Sequence, residues 1–331
     1  MPLRAPAFWL RPPGIVAHLL SPVGAIYGAA TAHRMARAGA EVGAPVICVG
    51  NLTLGGAGKT PTVIALANIL KEQGRRPFVV SRGYGGTTMG PLRVDPQSHD
   101  AALVGDEPIE IAPIAPVIVS RDRVAGATMA VAGGGDVILL DDGLQNPSLR
   151  KTFSFAVVDG EVWFGNGLCF PAGPLRAPVT SQRPHIDALI VIGGGDAPRN
   201  VARILEGLPV LRARFAPSPE VKALSGRRVL AFAGIGRPQK FFDMLRAQGA
   251  RVEAAQSFAD HRPYSDDELG RIAARAAKAD LVPVTTMKDL ARIGAERAQR
   301  LFAGALRTAP VALEFDEPET IRALLKRAVQ N

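Results

Sequence analysis

Eight consecutive residues, Thr53-Leu54-Gly55-Gly56-Ala57-Gly58-Lys59-Thr60, bring three glycines, an ammonium and a hydroxyl into one short loop. That set suits a nucleotide's phosphates. Glycines let backbone N–H groups converge on phosphate oxygens without Cβ clashes. Lys59 can reach the β- and γ-phosphates, and the Thr60 hydroxyl can bind Mg²⁺. The flanks support the reading. Ala44 to Gly50 is a short apolar, strand-forming run, and Pro61 to Leu70 has a helical pattern, so the helix points its positive end at the same anion. One departure is that Thr53 occupies the first glycine position of G-x-x-x-x-G-K-[ST]. The competing reading, a glycine-rich turn that binds nothing, does not account for Gly-Lys-Thr between these flanks.

Other reactive side chains fall at element ends. Asp141 and Asp142 close the most apolar strand pattern of the chain, placed to hold Mg²⁺ or its waters beside a phosphate loop. Asp106-Glu107-Pro108 opens a helix. Asp there is either a cap or a carboxylate near the γ-phosphate that takes a proton or binds metal. His261, in the polar turn Phe258 to Tyr264, is either an ordinary loop histidine or the lip of a cleft, where it can pair with a carboxylate of the first domain. Arg82 adds a cation to the flexible turn Arg82-Gly83-Tyr84-Gly85-Gly86, and Arg176 lies in a proline-rich loop, 171–178, near the site.

Positioning these residues takes alternating strands and helices. Apolar runs at 77–81, 117–119, 136–142, 155–159 and 188–192 interleave with helical patterns. They predict an α/β fold: a P-loop NTPase-like, mostly parallel sheet with helices on both faces. A second, smaller α/β domain begins near Ser218 and runs through a strand at 311–315 and a helix from Pro318. The expected organisation is residues 1–40 as an amphipathic membrane-associating segment, 41–217 as the nucleotide-binding domain, and 218–331 as the domain closing the cleft.

The chain has 331 residues, 47% of them hydrophobic, enough for packed cores. Two distant cysteines and five scattered histidines argue against a disulfide framework or a zinc site. A net charge of +9 favours an anionic partner. Aromatics at 5%, with no dense basic block, make nucleic acid the weakest choice among such partners. Near the N-terminus, apolar positions 15, 16, 19, 20, 23, 26 and 27 share one helical face. With Trp9, Arg34 and Arg37, that face reads either as an interfacial helix resting on a bilayer or as a helix packed on the protein's own core.

Several of these strings together resemble the tetraacyldisaccharide 4'-kinase family: Val49 to Pro61, Ser81-Arg82-Gly83-Tyr84-Gly85, Gly105-Asp106-Glu107-Pro108, Asp141-Asp142-Gly143-Leu144-Gln145, Gly173-Pro174-Leu175-Arg176 and Phe258-Ala259-Asp260-His261. They occur in order along nearly the whole chain. The resemblance implies MgATP-dependent phosphorylation of the 4' hydroxyl of an acylated glucosamine disaccharide phosphate, at the cytoplasmic face of the inner membrane. It implies ATP on the loop 53–60, metal at Thr60, Glu107, Asp141 and Asp142, Asp106 as base assisted by His261, and substrate phosphate near Arg82 and Arg176. No obligate protein partner is implied. Asn146, Thr152 and Ala177 depart from the family pattern. A P-loop ATPase or GTPase switch and a kinase for a small soluble metabolite are the alternatives.

Overall fold

The computed structural model describes residues 6–260 and 262–330. Strands β1 (Val46–Gly50), β2 (Pro77–Ser81), β3 (Leu92–Arg93), β4 (Val117–Val119), β5 (Val137–Asp141), β6 (Phe153–Asp159), β7 (Ala188–Ile192) and β8 (Val210–Pro217) lie in one sheet. β9 (Arg228–Ala233), β10 (Arg251–Ser257), β11 (Val282–Thr285) and β12 (Arg307–Thr308) form a second. The last strand, β13 (Val311–Phe315), returns to the first sheet. Among the described residues the large sheet thus has nine strands, in the order β13-β8-β7-β6-β1-β5-β2-β4-β3. Its pairs are parallel except at the two edges, where β3 and β13 run antiparallel to their neighbours. The four-stranded sheet, β10-β9-β11-β12, is parallel throughout.

The continuous apolar runs are explained by burial on both faces, as parallel sheets require. In β1, Ile47 and Val49 face one core and Val46 and Cys48 the other. The first core takes Val63, Leu66, Ala67 and Leu70 from the helix Lys59–Glu72, together with Ile321, Leu325 and Ala328 from the helix Pro318–Ala328. The second takes Ala127 and Ala130 from the helix Arg123–Ala132. The smaller sheet is likewise covered on both faces, by Leu269 and Ile272 on one side and Phe241, Phe242 and Leu245 on the other.

Residues 311–328 depart from the sequence expectation, which placed them in the smaller unit. β13 pairs with β8 from Val311↔Pro217 to Phe315↔Ala213. This satisfies what would otherwise be an exposed edge of unpaired amides, and the following helix packs beside the phosphate-loop helix.

Both readings of the N-terminal segment find support in the helix Ile15–Met35. Its small residues Ala17, Gly24, Gly28 and Thr31 are buried, and a Cβ on Gly24 would lie 2.7 Å from the Cys169 carbonyl oxygen. Its large apolar residues point outward: Ile15 is 80% exposed, Leu19 75% and Ile26 73%. Trp9, expected at a bilayer interface, is instead buried and donates to the Pro171 carbonyl at 3.1 Å.

Candidate active site

Strand order reverses at β1: the chain proceeds from it to β2 on one side and later to β6, β7 and β8 on the other. Ligands of open α/β sheets bind outside the carboxyl ends of the strands at such a reversal. The loop 53–60 follows β1 at this point, Asp141 ends β5 with Asp142 just beyond it, and Ser81 ends β2. Gly55 and Gly58 take φ of 109° and 94°, so both glycines are required by the backbone. Thr53 is not among the described residues with positive φ, and a side chain is tolerated there. It forms a bridge with Leu175 instead, the Leu54 N–H donates to the Pro174 carbonyl at 2.7 Å, and Asn51 Nδ2 donates to the Gly55 carbonyl at 3.1 Å. The proline-rich loop is thus the outer wall of the phosphate loop.

Arg176 ties the wall to the acids. Its guanidinium donates to both Asp142 oxygens, at 2.8 and 3.0 Å, and also to Gln145 Oε1 and the Thr53 carbonyl. Lys59 Nζ stands 3.8 Å from Asp142 Oδ2. Burial alone would raise the Asp142 carboxyl, but Lys59 and Arg176 outweigh it and hold it down at about 2. Asp141 is displaced the other way. Burial first, then the negative charges of Glu107 and Asp142, push its carboxyl well above the usual range. Asp141 Oδ2 accepts from the Ser81 hydroxyl at 3.1 Å, while Oδ1 is buried without a hydrogen-bond partner among the described residues.

These observations bear on magnesium. Among the described residues, no three His, Cys, Asp or Glu side chains gather tightly enough to hold a metal by themselves. Mg²⁺ in nucleotide sites needs only one or two carboxylates, with phosphates and waters completing its shell. A buried, unpartnered carboxylate oxygen near two further acids fits that need. Asp142, expected in the metal set, spends both oxygens on Arg176, and Glu107 Oε1 accepts from Lys288 at 3.1 Å.

Asp106 is the first residue of the helix Asp106–Ile111 and is 4% exposed; Gly105, at φ 91°, is the cap. A Cβ on Gly105 would lie 2.7 Å from the Tyr84 carbonyl, so the Arg82–Gly86 turn and the Asp106 helix abut. Arg82 is exposed on that turn. His261 lies outside the described residues. Lys288, Asp289 and Arg292, on the helix Met287–Ile293, were missed by sequence reasoning. Arg292 Nε donates to Asp106 Oδ2 at 2.8 Å and Lys288 joins Glu107, so a helix of the smaller unit meets both acids. Their i, i+4 spacing was the available signal, but on its own it also describes a solvated basic face. The Gly234-Ile235-Gly236 turn approaches too: a Cβ on Gly236 would stand 3.8 Å from the Gly56 amide nitrogen.

Comparison with known proteins shows the family. A family model described as tetraacyldisaccharide-1-P 4'-kinase matches residues 16–330. The chain belongs to this family. A tetraacyldisaccharide 4'-kinase of Methylobacterium sp. (strain 4-46) is 54% identical over 327 residues, covering 98% of this chain and 97% of the relative. One from Nitrobacter winogradskyi is 52% identical over 326 residues, covering 98% and 97%. Among solved structures, an LpxK from Aquifex aeolicus, described as an "apo" form in complex with ATP, is 25% identical. It superposes with a TM-score of 0.74 over 95% of this chain and 100% of that one. The 4'-kinase family accounts for the P-loop-type α/β fold, and neither the switch ATPase nor the soluble-metabolite kinase is favoured.

Proposed function

We propose that this protein transfers the γ-phosphate of ATP to the 4' hydroxyl of a tetraacyl glucosamine disaccharide 1-phosphate, with Asp106 as the base. The observation that carries the reading is the gathering of Lys59, Asp141 and Asp142 at the carboxyl ends of β1 and β5, with Glu107, next to Asp106, near enough for its charge to act on Asp141. Phosphoryl transfer asks a protein mainly for placement and charge neutralisation. Lys59 and the amides of Gly55 to Thr60 hold the β- and γ-phosphates. When the nucleotide enters, Lys59 exchanges a 3.8 Å ion pair with Asp142 for phosphate oxygens. Asp142 keeps Arg176 against the loop wall. Thr60 and Asp141 would hold Mg²⁺, with Glu107 close by, and the ion would supply positive charge against the γ-phosphate oxygens. Asp106 accepts the proton of the sugar hydroxyl as its oxygen attacks the γ-phosphorus in line with the departing ADP. His261 assists it. Arg82 is the exposed cation for the substrate's own phosphate. Arg176, the second candidate for that role, is turned inward and serves the nucleotide side.

The substrate's acyl chains call for a membrane. The outward apolar face of Ile15, Val16, Leu19, Val23 and Ile26 fits a helix lying along the cytoplasmic surface of the inner membrane, its small-residue face on the body of the enzyme. The chain's basic excess suits an anionic leaflet.

The test is direct. Purified protein, Mg²⁺ and γ-labelled ATP are incubated with the tetraacyl disaccharide 1-phosphate, with the same sugar lacking acyl chains, and without acceptor. Label should pass to the lipid alone. Asp106→Asn should lower turnover about 10²–10⁴-fold and leave binding of a non-hydrolysable ATP analogue intact. Near-normal turnover would refute the assignment.

A further inference from the structure

We infer that Arg292 is the positioning residue for the Asp106 carboxylate, setting the base's aim from the smaller unit. The inference rests on the reading of Asp106 as base. Arg292 is 6% exposed, and its guanidinium is fixed on several sides. Nε donates to Asp106 Oδ2 at 2.8 Å, Nη1 donates to the Gly234 carbonyl at 2.6 Å, and Nη1 stands 3.2 Å from Asp289 Oδ1. Asp289 is itself immobilised. Fully buried, it accepts from the Gly234 N–H at 3.0 Å, the Tyr264 hydroxyl at 2.7 Å and the Thr286 hydroxyl at 2.7 Å. A chain of contacts therefore runs from the Gly234-Ile235-Gly236 turn, which approaches the phosphate loop, through Asp289 and Arg292 to Asp106.

Stability alone does not account for this arrangement. A buried ion pair seldom outperforms well-packed apolar side chains of the same volume, because two charges must be desolvated. Placement does account for it. A planar guanidinium offers N–H groups in fixed directions, which the flexible lysine ammonium does not. Arg292 takes one carboxylate oxygen, and the Glu107 N–H donates to the other at 3.0 Å, so the plane of the Asp106 carboxylate is set from both sides. Lys288, one helical turn earlier, contacts Glu107 at 3.1 Å and comes within 3.9 Å of Asp106. It supplies charge without that directionality. A displacement of about 1 Å at a reacting group can cost on the order of 10²-fold in rate.

A double-mutant cycle on the full-length enzyme tests the inference, using wild type, Arg292→Met, Asp106→Asn and the double variant. Each is assayed for kcat and KM with the lipid acceptor and for binding of an ATP analogue. Arg292→Met should lower kcat about 10–100-fold, with KM for ATP and analogue affinity within about twofold of wild type. On the Asp106→Asn background the same change should cost less than about twofold more, since the residue it acts through has gone. Arg292→Lys should recover part of the lost kcat, and it carries the same cycle if Arg292→Met does not fold. Equal fold-losses on both backgrounds, or a loss residing in KM, would overturn the positioning role and leave the base in place. Wild-type turnover in Asp106→Asn would remove the base itself and this inference with it.

Discussion

Asp142 adopts φ 52°, a left-handed backbone that costs a non-glycine residue roughly 1–3 kcal/mol. Its bidentate pairing with Arg176 and its proximity to Lys59 offset that strain. Arg176 also holds the Thr53 carbonyl, so one guanidinium couples the acid to the loop. Arg176→Lys keeps the charge and loses the fork. It is expected to weaken ATP-analogue binding about tenfold, read by calorimetry, with little change in KM for the lipid. At this scale the sequence was most legible where chemistry is local. Lys59, Thr60, Asp141 and Asp142 follow from a loop and a strand end. The Asp106–Arg292 contact spans 186 positions and no local pattern encodes it. Asp289 was missed because its burial depends on a tyrosine and a turn from elsewhere in the smaller unit, joined by the threonine that caps its own helix.

Among the elements, the N-terminal helix presents two unlike faces, small residues inward and large apolar ones outward, which explains why its sequence allowed two readings. Small residues permit close approach to the 167–178 loop; large apolar ones stay outside. Substitutions on the two faces should therefore separate. Leu19→Glu combined with Ile26→Glu is expected to leave the melting temperature within about 2 °C of wild type, since exposed sites contribute little, while abolishing flotation with anionic liposomes. Gly24→Leu should do the reverse. Its side chain would meet the Cys169 carbonyl, and overpacking of this sort costs about 1–3 kcal/mol, visible as a lower melting temperature. Strands buried on both faces were legible as uninterrupted apolar runs. The partner of β13 was not, because antiparallel pairing at an edge is decided by which strand needs covering rather than by the pattern of the strand itself.

For the molecule as a whole, the smaller sheet is inserted between β8 and β13 of the larger. Two sets of ion pairs bridge the units beside the crevice. One joins Lys288 and Arg292 to Glu107 and Asp106; the other joins Arg237 and Lys240 to Asp159 and Glu161. The second set is about one-third exposed on its basic side, so each contact there contributes no more than about 1 kcal/mol and weakens with salt. A fragment of residues 41–217, the nucleotide-binding unit expected from sequence, should be insoluble or unfolded by circular dichroism. It lacks Leu313, Ile321, Leu325 and Ala328 from its core and leaves β8 uncovered. A soluble, ATP-binding fragment would show that the closing strand is dispensable.

The return of β13 also fixes an order of events during synthesis. The nucleotide cradle is translated more than two hundred residues before the strand that completes its sheet. A nascent chain thus carries an open seam until residues 311–315 emerge, and one terminated before them would keep it, marking itself for chaperones and proteases before it could consume ATP.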